Sequence, residues 1–438
     1  MKKILNISLI LLIVLTLSGC TNSEDKGLFF KVNGEDTIYL LKGETYHDLG
    51  FVAKDEGIDI SSYVTVNNLV NTSEAGSYII TYILDYEGKE TVITRTVYVE
   101  YQNPSCTLIE GTNILECSES WSSYLNTLIT IDIYFDRTTT LDSEVIFHNM
   151  LNIIAKYHML SDKYNSYSGL VNLKNINDNP EETHQLSDEL FTLISYSLEN
   201  QKDLEDYFNI ALGPVINIWH DYRENCLVNE ICEVPDHQTL FSQKDYTLSK
   251  NIILDEENKT ITMQENMSLD LGGVAKGYIS KMLIDYLNSL PLEGYLLNNG
   301  ESNVSVGGTN PKRENGKFVI GITNPVDISS LYEVIVINDG DQIVTSGDYQ
   351  QYYMVDDVLY HHIISNTTLV PESYCHSVSV VYSDPALADI YSTALFLMSI
   401  YDGLDFVNNI DGLEAIWYGI DGKTYYSENF KLLYLQPY

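Results

Sequence analysis

The pattern of apolar and polar positions changes character twice along this chain. Residues 4–17 form an almost unbroken apolar run behind Lys2 and Lys3. From Phe29 to Tyr101 apolar and polar positions alternate in short stretches broken by turn residues, most clearly at 77–82 and 95–99. That period of two predicts a small β-sandwich. Beyond residue 120 two periods mix. Residues 128–135 alternate as a strand, whereas Ile146, Met150, Ile153, Ile154 and Leu160 recur at helical spacing across 145–164. Ser187 stands where a cap would precede a helix through Leu190, Ile194 and Leu198. Ile279, Met282, Leu283, Tyr286 and Leu287 predict another helix behind a glycine pair. Strands follow at 317–322 and 333–337, then a hairpin over 416–426 that turns at Asp421-Gly422. Strands and helices without a regular βαβ alternation predict an α+β domain. The expected fold class is therefore an α+β domain preceded by a small all-β sandwich, with the boundary in 102–120, where Pro104 falls and no helical period survives.

A chain of 438 residues is long enough for two or three domains, each with its own core. Residues 1–20 have the plan of a secretory signal, ending in Ser18-Gly19-Cys20, and the apolar run is short for a membrane span. An uncleaved anchor helix is the alternative. The 62 acidic against 24 basic residues give a formal charge of −38, which repels nucleic acid and offers no polybasic patch to anionic lipid. Five cysteines follow Cys20, and five cannot all pair within one chain. Cys106 and Cys117 flank a hairpin-like stretch with Gly111-Thr112-Asn113 at its tip, and Cys226 and Cys232 bracket a short loop. Two local disulfides are expected, with Cys375 left as a buried thiol. No spacing suits zinc.

The chemistry concentrates in two places. In Asp270-Leu271-Gly272-Gly273-Val274-Ala275-Lys276-Gly277-Tyr278 a glycine turn feeds a helix. Such a turn lets backbone approach a ligand closely, and the helix N-terminus with Lys276 offers positive charge to a phosphate. Plain loop closure would use the same residues. Asp389 and Thr393 lie four apart in the apparently helical run 387–397, so they share a face and present two hard oxygens, as magnesium prefers. An Asp near a helix start and a Thr bonded back to its own backbone would give the same spacing.

These segments resemble, in order, motifs of the ApbE family, the FAD:protein FMN transferases. The resemblance extends over about residues 120–436. It takes in Tyr207-Phe208-Asn209, Gly213-Pro214, Trp219, the segment from Asp270 to Tyr278, Thr345-Ser346-Gly347-Asp348-Tyr349, His361-His362-Ile363-Ile364 and the run from Ala388 to Leu395. Asn299-Gly300-Glu301-Ser302-Asn303 and Gly321-Ile322-Thr323-Asn324-Pro325 are also similar, and are expected as strand ends and turns near the ligand. The resemblance implies an ApbE-like α+β domain over 120–438. It also implies Mg2+ held by Asp389, Thr393 and the Gly273 carbonyl, with FAD as substrate. FAD contacts are implied for Asp270, Lys276, the Tyr207-Phe208-Asn209 segment and the Ile364 backbone, and for Leu125 where the family usually has Met. His362 is the candidate base; a packed core histidine is the alternative. Asn209 stands for the usual Asp, Ala211 for Thr, Ser365 for Asp and Leu369 for Gly, departures expected to thin the polar shell.

The implied activity is transfer of FMN from FAD to a Ser or Thr hydroxyl of extracytoplasmic redox proteins, with release of AMP. Hydrolysis of FAD to FMN and AMP, or a non-catalytic flavin-binding or adhesive lipoprotein, are the other readings. Leu17-Ser18-Gly19-Cys20 resembles a bacterial lipobox, which implies a lipid on Cys20, a tether in the membrane and a mature chain outside the cytoplasm. Residues 27–101 resemble bacterial surface immunoglobulin-like modules through Gly43-Glu44-Thr45-Tyr46, Gly50-Phe51 and Ala75-Gly76-Ser77-Tyr78. The module carries no catalytic grouping, and its role is a spacer or a binding domain.

Overall fold

A computed structural model describes residues 27–41, 45–73, 76–100, 105–125, 127–300 and 302–436. Cys20, Gly43, Glu44, Ala75, Glu301 and residues 101–104 lie outside the described residues. The chain divides into two compact units, the smaller drawn from segments within the first 97 residues.

The N-terminal region contains two antiparallel sheets, one of Leu28–Val32, Phe51–Asp55 and Ile58–Asp59, the other of Thr37–Leu41, Lys89–Glu100, Gly76–Tyr86 and Val64–Asn67. Alternation sends Ile80, Tyr82, Leu84 and Val97 inward. Arg95 is buried among them. Its guanidinium is satisfied by the Glu35 carbonyl at 2.9 Å, the Asn33 carbonyl and the Tyr82 hydroxyl at 3.3 Å, which makes its burial tolerable.

The larger unit is organised on nine strands: β1 (Ser105–Leu108), β2 (Ile114–Tyr124), β3 (Thr127–Asp136), β4 (Gly294–Asn299), β5 (Asn303–Gly308), β6 (Gln342–Gly347), β7 (Cys375–Tyr382), β8 (Glu414–Gly419) and β9 (Thr424–Tyr426). Each is hydrogen-bonded to its neighbours in this list, so the sheet is one antiparallel meander with long excursions between strands. The period of two sorts its side chains. Ile129, Ile131, Ile133, Val378, Val380, Ala415 and Trp417 face one core, while Tyr134, Val304, Val306, Val381 and Ile416 face a second core with the hairpin Phe318–Thr323/Leu331–Ile337. The Cys106–Cys117 disulfide joins cross-strand partners of β1 and β2.

Four helices from the excursions matter for the site: α1 (Ser143–Ser161), α2 (Gly213–Asn229), α3 (Ala275–Asn288) and α4 (Pro385–Leu397). α1 starts where the Asp142 carboxylate accepts from the Glu144 amide, and it buries Ile146, Met150, Ile154, Tyr157 and Leu160 on one stripe. α4 starts on Pro385 behind Asp384, whose carboxylate accepts from the Ala386 and Leu387 amides. The same carboxylate pairs with Lys281 of α3 at 2.7 Å, so the cap also sets the alignment of the two helices. They meet at Gly277, where a Cβ would lie 2.3 Å from the Pro385 carbonyl oxygen and 2.7 Å from the Asp389 Cβ. Only a glycine permits that crossing.

Candidate active site

The close crossing of α3 and α4 brings the two chemical motifs together. The Gly277 amide donates to Asp389 Oδ2 at 2.8 Å, and Asp389 is only 6% exposed. Burial pushes its carboxyl pKa up, against the opposing pull of Lys276 and the Gly277 amide. The Gly277 amide and the Lys276 charge thus offset part, and not all, of what burial costs the Asp389 carboxylate. Thr393, one turn along α4, lies beside Gly273: a Cβ on Gly273 would sit 3.1 Å from Thr393 Oγ1 and 3.1 Å from the Phe208 ring. Neither Gly272 nor Gly273 has a positive φ. The glycine pair is therefore explained by close approach rather than by backbone handedness.

A carboxylate, a hydroxyl and a main-chain carbonyl form an oxygen-only donor set of the kind a hard divalent cation takes. Among the described residues no cluster of three or more His, Cys, Asp or Glu side chains gathers. The fit to Mg2+ at Asp389, Thr393 and Gly273 thus rests on the burial of the Asp389 carboxylate, which raises its pKa, and on the closeness of Thr393 Oγ1 to Gly273.

The helix start is less open than its sequence suggests. The Ala275 amide donates to the Leu271 carbonyl at 2.8 Å and the Gly277 amide is taken by Asp389. Of the first three amides, that of Lys276 has no partner among the described residues. The Lys276 ammonium donates to Ser302 Oγ at 2.8 Å in the β4–β5 turn, which holds its charge over the α3 terminus. Asn299, at the end of β4, donates to the Lys276 carbonyl at 3.1 Å and so secures the same turn from behind.

Asp270 is expected to contact FAD. Its carboxylate pairs with Lys163 Nζ at 2.7 Å and accepts from the Gly272 amide at 2.8 Å. Burial works against both charges, yet Lys163 and the Gly272 amide hold the Asp270 carboxyl below its usual range, and Asp270 holds the Lys163 ammonium above its own. Lys163 also donates to Asn217 Oδ1 at 2.8 Å. The sequence reading missed Lys163. Nothing in Asp162-Lys163-Tyr164-Asn165 distinguishes it from a solvated turn, because its partner lies 107 residues away.

The histidine pair separates cleanly. His361 ends the strand Val358–His361, is buried against Phe396, and pairs with Ser373 Oγ at 2.7 Å. Burial and then His362 push its pKa down to about 3. His362 lies one residue past the strand rather than on it, and is open to solvent. Protein nonetheless crowds it: desolvation, then the charges of Lys276 and Arg223, push its pKa down to about 4 despite Asp270 and the Gln351 carbonyl. Lys276 thus acts on Asp389 and on His362 alike.

The ApbE family model matches residues 125–417, well over half of the chain. The chain belongs to the ApbE family. A model described as bacterial surface protein, Ig-like domain matches residues 30–99. Over 235 residues the chain is 29% identical to an FAD:protein FMN transferase of Klebsiella pneumoniae (strain 342), covering 52% of this chain and 68% of that one. It is 28% identical over 258 residues to a protein of the same name from Vibrio cholerae serotype O1, covering 57% and 73%. The crystal structure of the ApbE protein of Thermotoga maritima superposes with a TM-score of 0.64 at 25% identity, covering 73% of this chain and 99% of that chain.

Within this ApbE-family chain, the residues that depart from the family pattern still hold the backbone. Asn209 caps the turn Ile210–Leu212 through the Ala211 amide at 2.9 Å and donates to the Thr247 carbonyl at 2.8 Å. Ser365 accepts from the Thr368 amide at 3.2 Å. Leu369, expected as a departure from the family's usual Gly, adopts φ 64°, and its carbonyl accepts from Trp219 Nε1 at 2.9 Å. In that left-handed conformation Leu369 carries strain of roughly 1–2 kcal/mol.

The other predicted contacts scatter. Phe208 is packed on Gly273, and Tyr207 is half-buried beside it. Ile364 is buried and bridges Pro371 through its backbone. Leu125 lies in the β2–β3 turn with φ 55°, its amide 3.4 Å from His158 Nδ1, and no hydrogen bond ties it to Lys276, Asp389 or His362. The Gly321–Pro325 segment takes in the end of the strand Phe318–Thr323 and the turn after it, as expected, on a hairpin that packs in the second core. Thr345 pairs with Ser379 Oγ at 2.7 Å, and Ser346 with Ser392 Oγ at 2.9 Å, which fastens β6 to α4 next to Thr393.

Proposed function

We propose that this chain is a magnesium-dependent FAD:protein FMN transferase that moves FMN from FAD onto a Ser or Thr hydroxyl of extracytoplasmic redox proteins and releases AMP. The observation that carries the reading is that the Lys276 charge acts on both the buried Asp389 carboxylate and the His362 imidazole. Lys276 attracts the pyrophosphate and stabilises charge on it as the bond breaks. Asp389, Thr393 and the Gly273 carbonyl would hold Mg2+, which supplies Lewis-acid neutralisation of the phosphate oxygens when bound. His362, neutral at pH 7 because its pKa is held near 4, accepts the proton of the acceptor hydroxyl. The hydroxyl oxygen bonds to the FMN-side phosphorus, the bond from that phosphorus to the bridging oxygen breaks, and AMP leaves with the bridging oxygen.

Incubation of the purified protein with FAD, magnesium and a candidate acceptor should give AMP and an acceptor carrying FMN in equal amounts. AMP with free FMN, whether or not acceptor is present, would mean that water is the acceptor and the chain is a pyrophosphatase. A lipid on Cys20 and a membrane tether complete the proposal. Mass spectrometry of the mature chain should find a lipid-modified Cys20 as its first residue, and an unmodified Cys20 would end the lipoprotein reading.

A further inference from the structure

His362 has to offer a lone pair on a known nitrogen if it is to take a proton, and a side chain on a loop end does not fix that by itself. The main-chain carbonyl of Gln351 accepts from the His362 amide at 3.0 Å and lies 3.3 Å from His362 Nδ1. A carbonyl can only accept, so Nδ1 carries the hydrogen and Nε2 is left as the basic nitrogen. Gln351 is an exposed residue just ahead of the hairpin Tyr352–Val355/Val358–His361. What steadies it is Arg223, whose Nη1 donates to Gln351 Oε1 at 3.1 Å.

Arg223 in turn is held on a firm element. Its Nη2 lies 3.0 Å from His220 Nδ1 and 3.4 Å from Glu224 Oε1, within the same helix, α2. α2 is anchored by Trp219, which bonds the Leu369 carbonyl and stacks on Tyr360 of the hairpin. The far end of α2 is closed by the Cys226–Cys232 disulfide, and the loop beyond it takes a hydrogen bond from Tyr353 of the hairpin to the Glu233 carbonyl at 3.1 Å. The charged and titratable groups acting on His362 are Lys276 from α3, Arg223 from α2, Asp270 from the glycine turn and the neighbouring His361.

We infer that Arg223 is a positioning residue for the transfer reaction, fixing the His362 imidazole through Gln351 so that Nε2 is the nitrogen that takes the acceptor's proton. The inference rests on the proposed role of His362. Neither Arg223 nor Gln351 has to touch substrate, so the loss on removing either one falls on kcat rather than on the KM for FAD.

The test uses the full chain with Arg223→Gln, Gln351→Met and the double variant. Each single change should lower kcat for FMN transfer about tenfold, as expected for a catalytic group let out of alignment, with KM for FAD within about twofold of wild type. Because both act along one line, the double variant should be no worse than the poorer single. Nitrogen NMR of labelled histidines, with His362 assigned through His362→Gln, should show the Nδ1–H form in wild type and a tautomer mixture in both single variants. A purely structural role for Arg223 would not move that signal. Because Gln351 is exposed, Gln351→Met carries the test even where Arg223→Gln fails to fold. Multiplying losses in the double variant, or an unchanged His362 tautomer in the singles, overturns the inference. Full activity in His362→Gln would instead remove the base role, while the tautomer readout still decides whether Arg223 positions the ring.

Discussion

Lys276, Asp389 and Thr393 ride on two helices that cross through a glycine, whereas His362 sits past the end of a two-stranded hairpin and is held by side chains reaching from a third element. In the first region position is set by packing: Gly277 admits the Pro385 carbonyl, Asp384 caps α4 while pairing with Lys281, and Ser346 ties Ser392 to the sheet. In the second it is set by a relay of hydrogen bonds through Gln351 and Arg223. Packing is short-range and unforgiving of volume. A relay tolerates size but depends on each donor and acceptor.

That contrast can be broken most severely at Asp389. Asp389→Ala should lower magnesium-dependent AMP release by roughly a hundredfold or more, since it removes the charged member of the oxygen set, while the melting temperature falls far less, because α4 keeps its apolar contacts and only the Gly277 amide loses its acceptor. Substitution of His362 should cost up to about a hundredfold, the low end for a lost general base, and should change the pH profile. With a pKa near 4 in the folded protein, His362 stays neutral as pH falls through the ordinary histidine range, so its contribution to turnover should persist to about pH 4 to 5 and then vanish. Over the same interval, from about 6.5 down to about 4, the unfolded chain binds a proton that the folded chain refuses, so stability falls with pH there and His362→Gln should remove that part of the fall. Burial also raises the Asp389 carboxyl pKa, which makes the difference between wild type and His362→Gln the quantity to measure.

Gly277→Ala should sharpen the comparison from the packing side. Its Cβ would meet the Pro385 carbonyl and Asp389 at distances that force α3 and α4 apart, costing about 1–3 kcal/mol, and activity and melting temperature should fall together. Thr393→Val preserves shape and should cost about tenfold or less, partly recovered at high magnesium. Deletion of residues 27–101 should have the smallest effect, with turnover within about twofold, because that region supplies none of the site residues. A folded deletion variant without turnover would show the boundary to be wrong.

What could be read in the sequence follows the same division. The helices at 143–161, 275–288 and 385–397 announce themselves through spacing and caps, and both local disulfides follow from short separations. Asp389 and Thr393 share a helix, so their joint direction is legible. The Gly277–Asp389 hydrogen bond spans 112 residues and the Lys163–Asp270 ion pair 107, and no local pattern announces either. The resemblance singles out His362 over His361, but not that His361 meets Phe396 while His362 meets the Gln351 carbonyl. Nor could the sequence show that the glycine turn serves close packing with Phe208 and Thr393 rather than a positive φ.

The account stands most directly on whether the crossing of α3 and α4 is a metal and phosphate seat. The deciding measurement is a calorimetric titration of magnesium into the full chain in the presence of AMP, for wild type and for Asp389→Ala, with melting temperatures recorded for both. The account predicts one saturable magnesium site in wild type and none in an equally well-folded Asp389→Ala protein. Equal magnesium binding by the two proteins would contradict it.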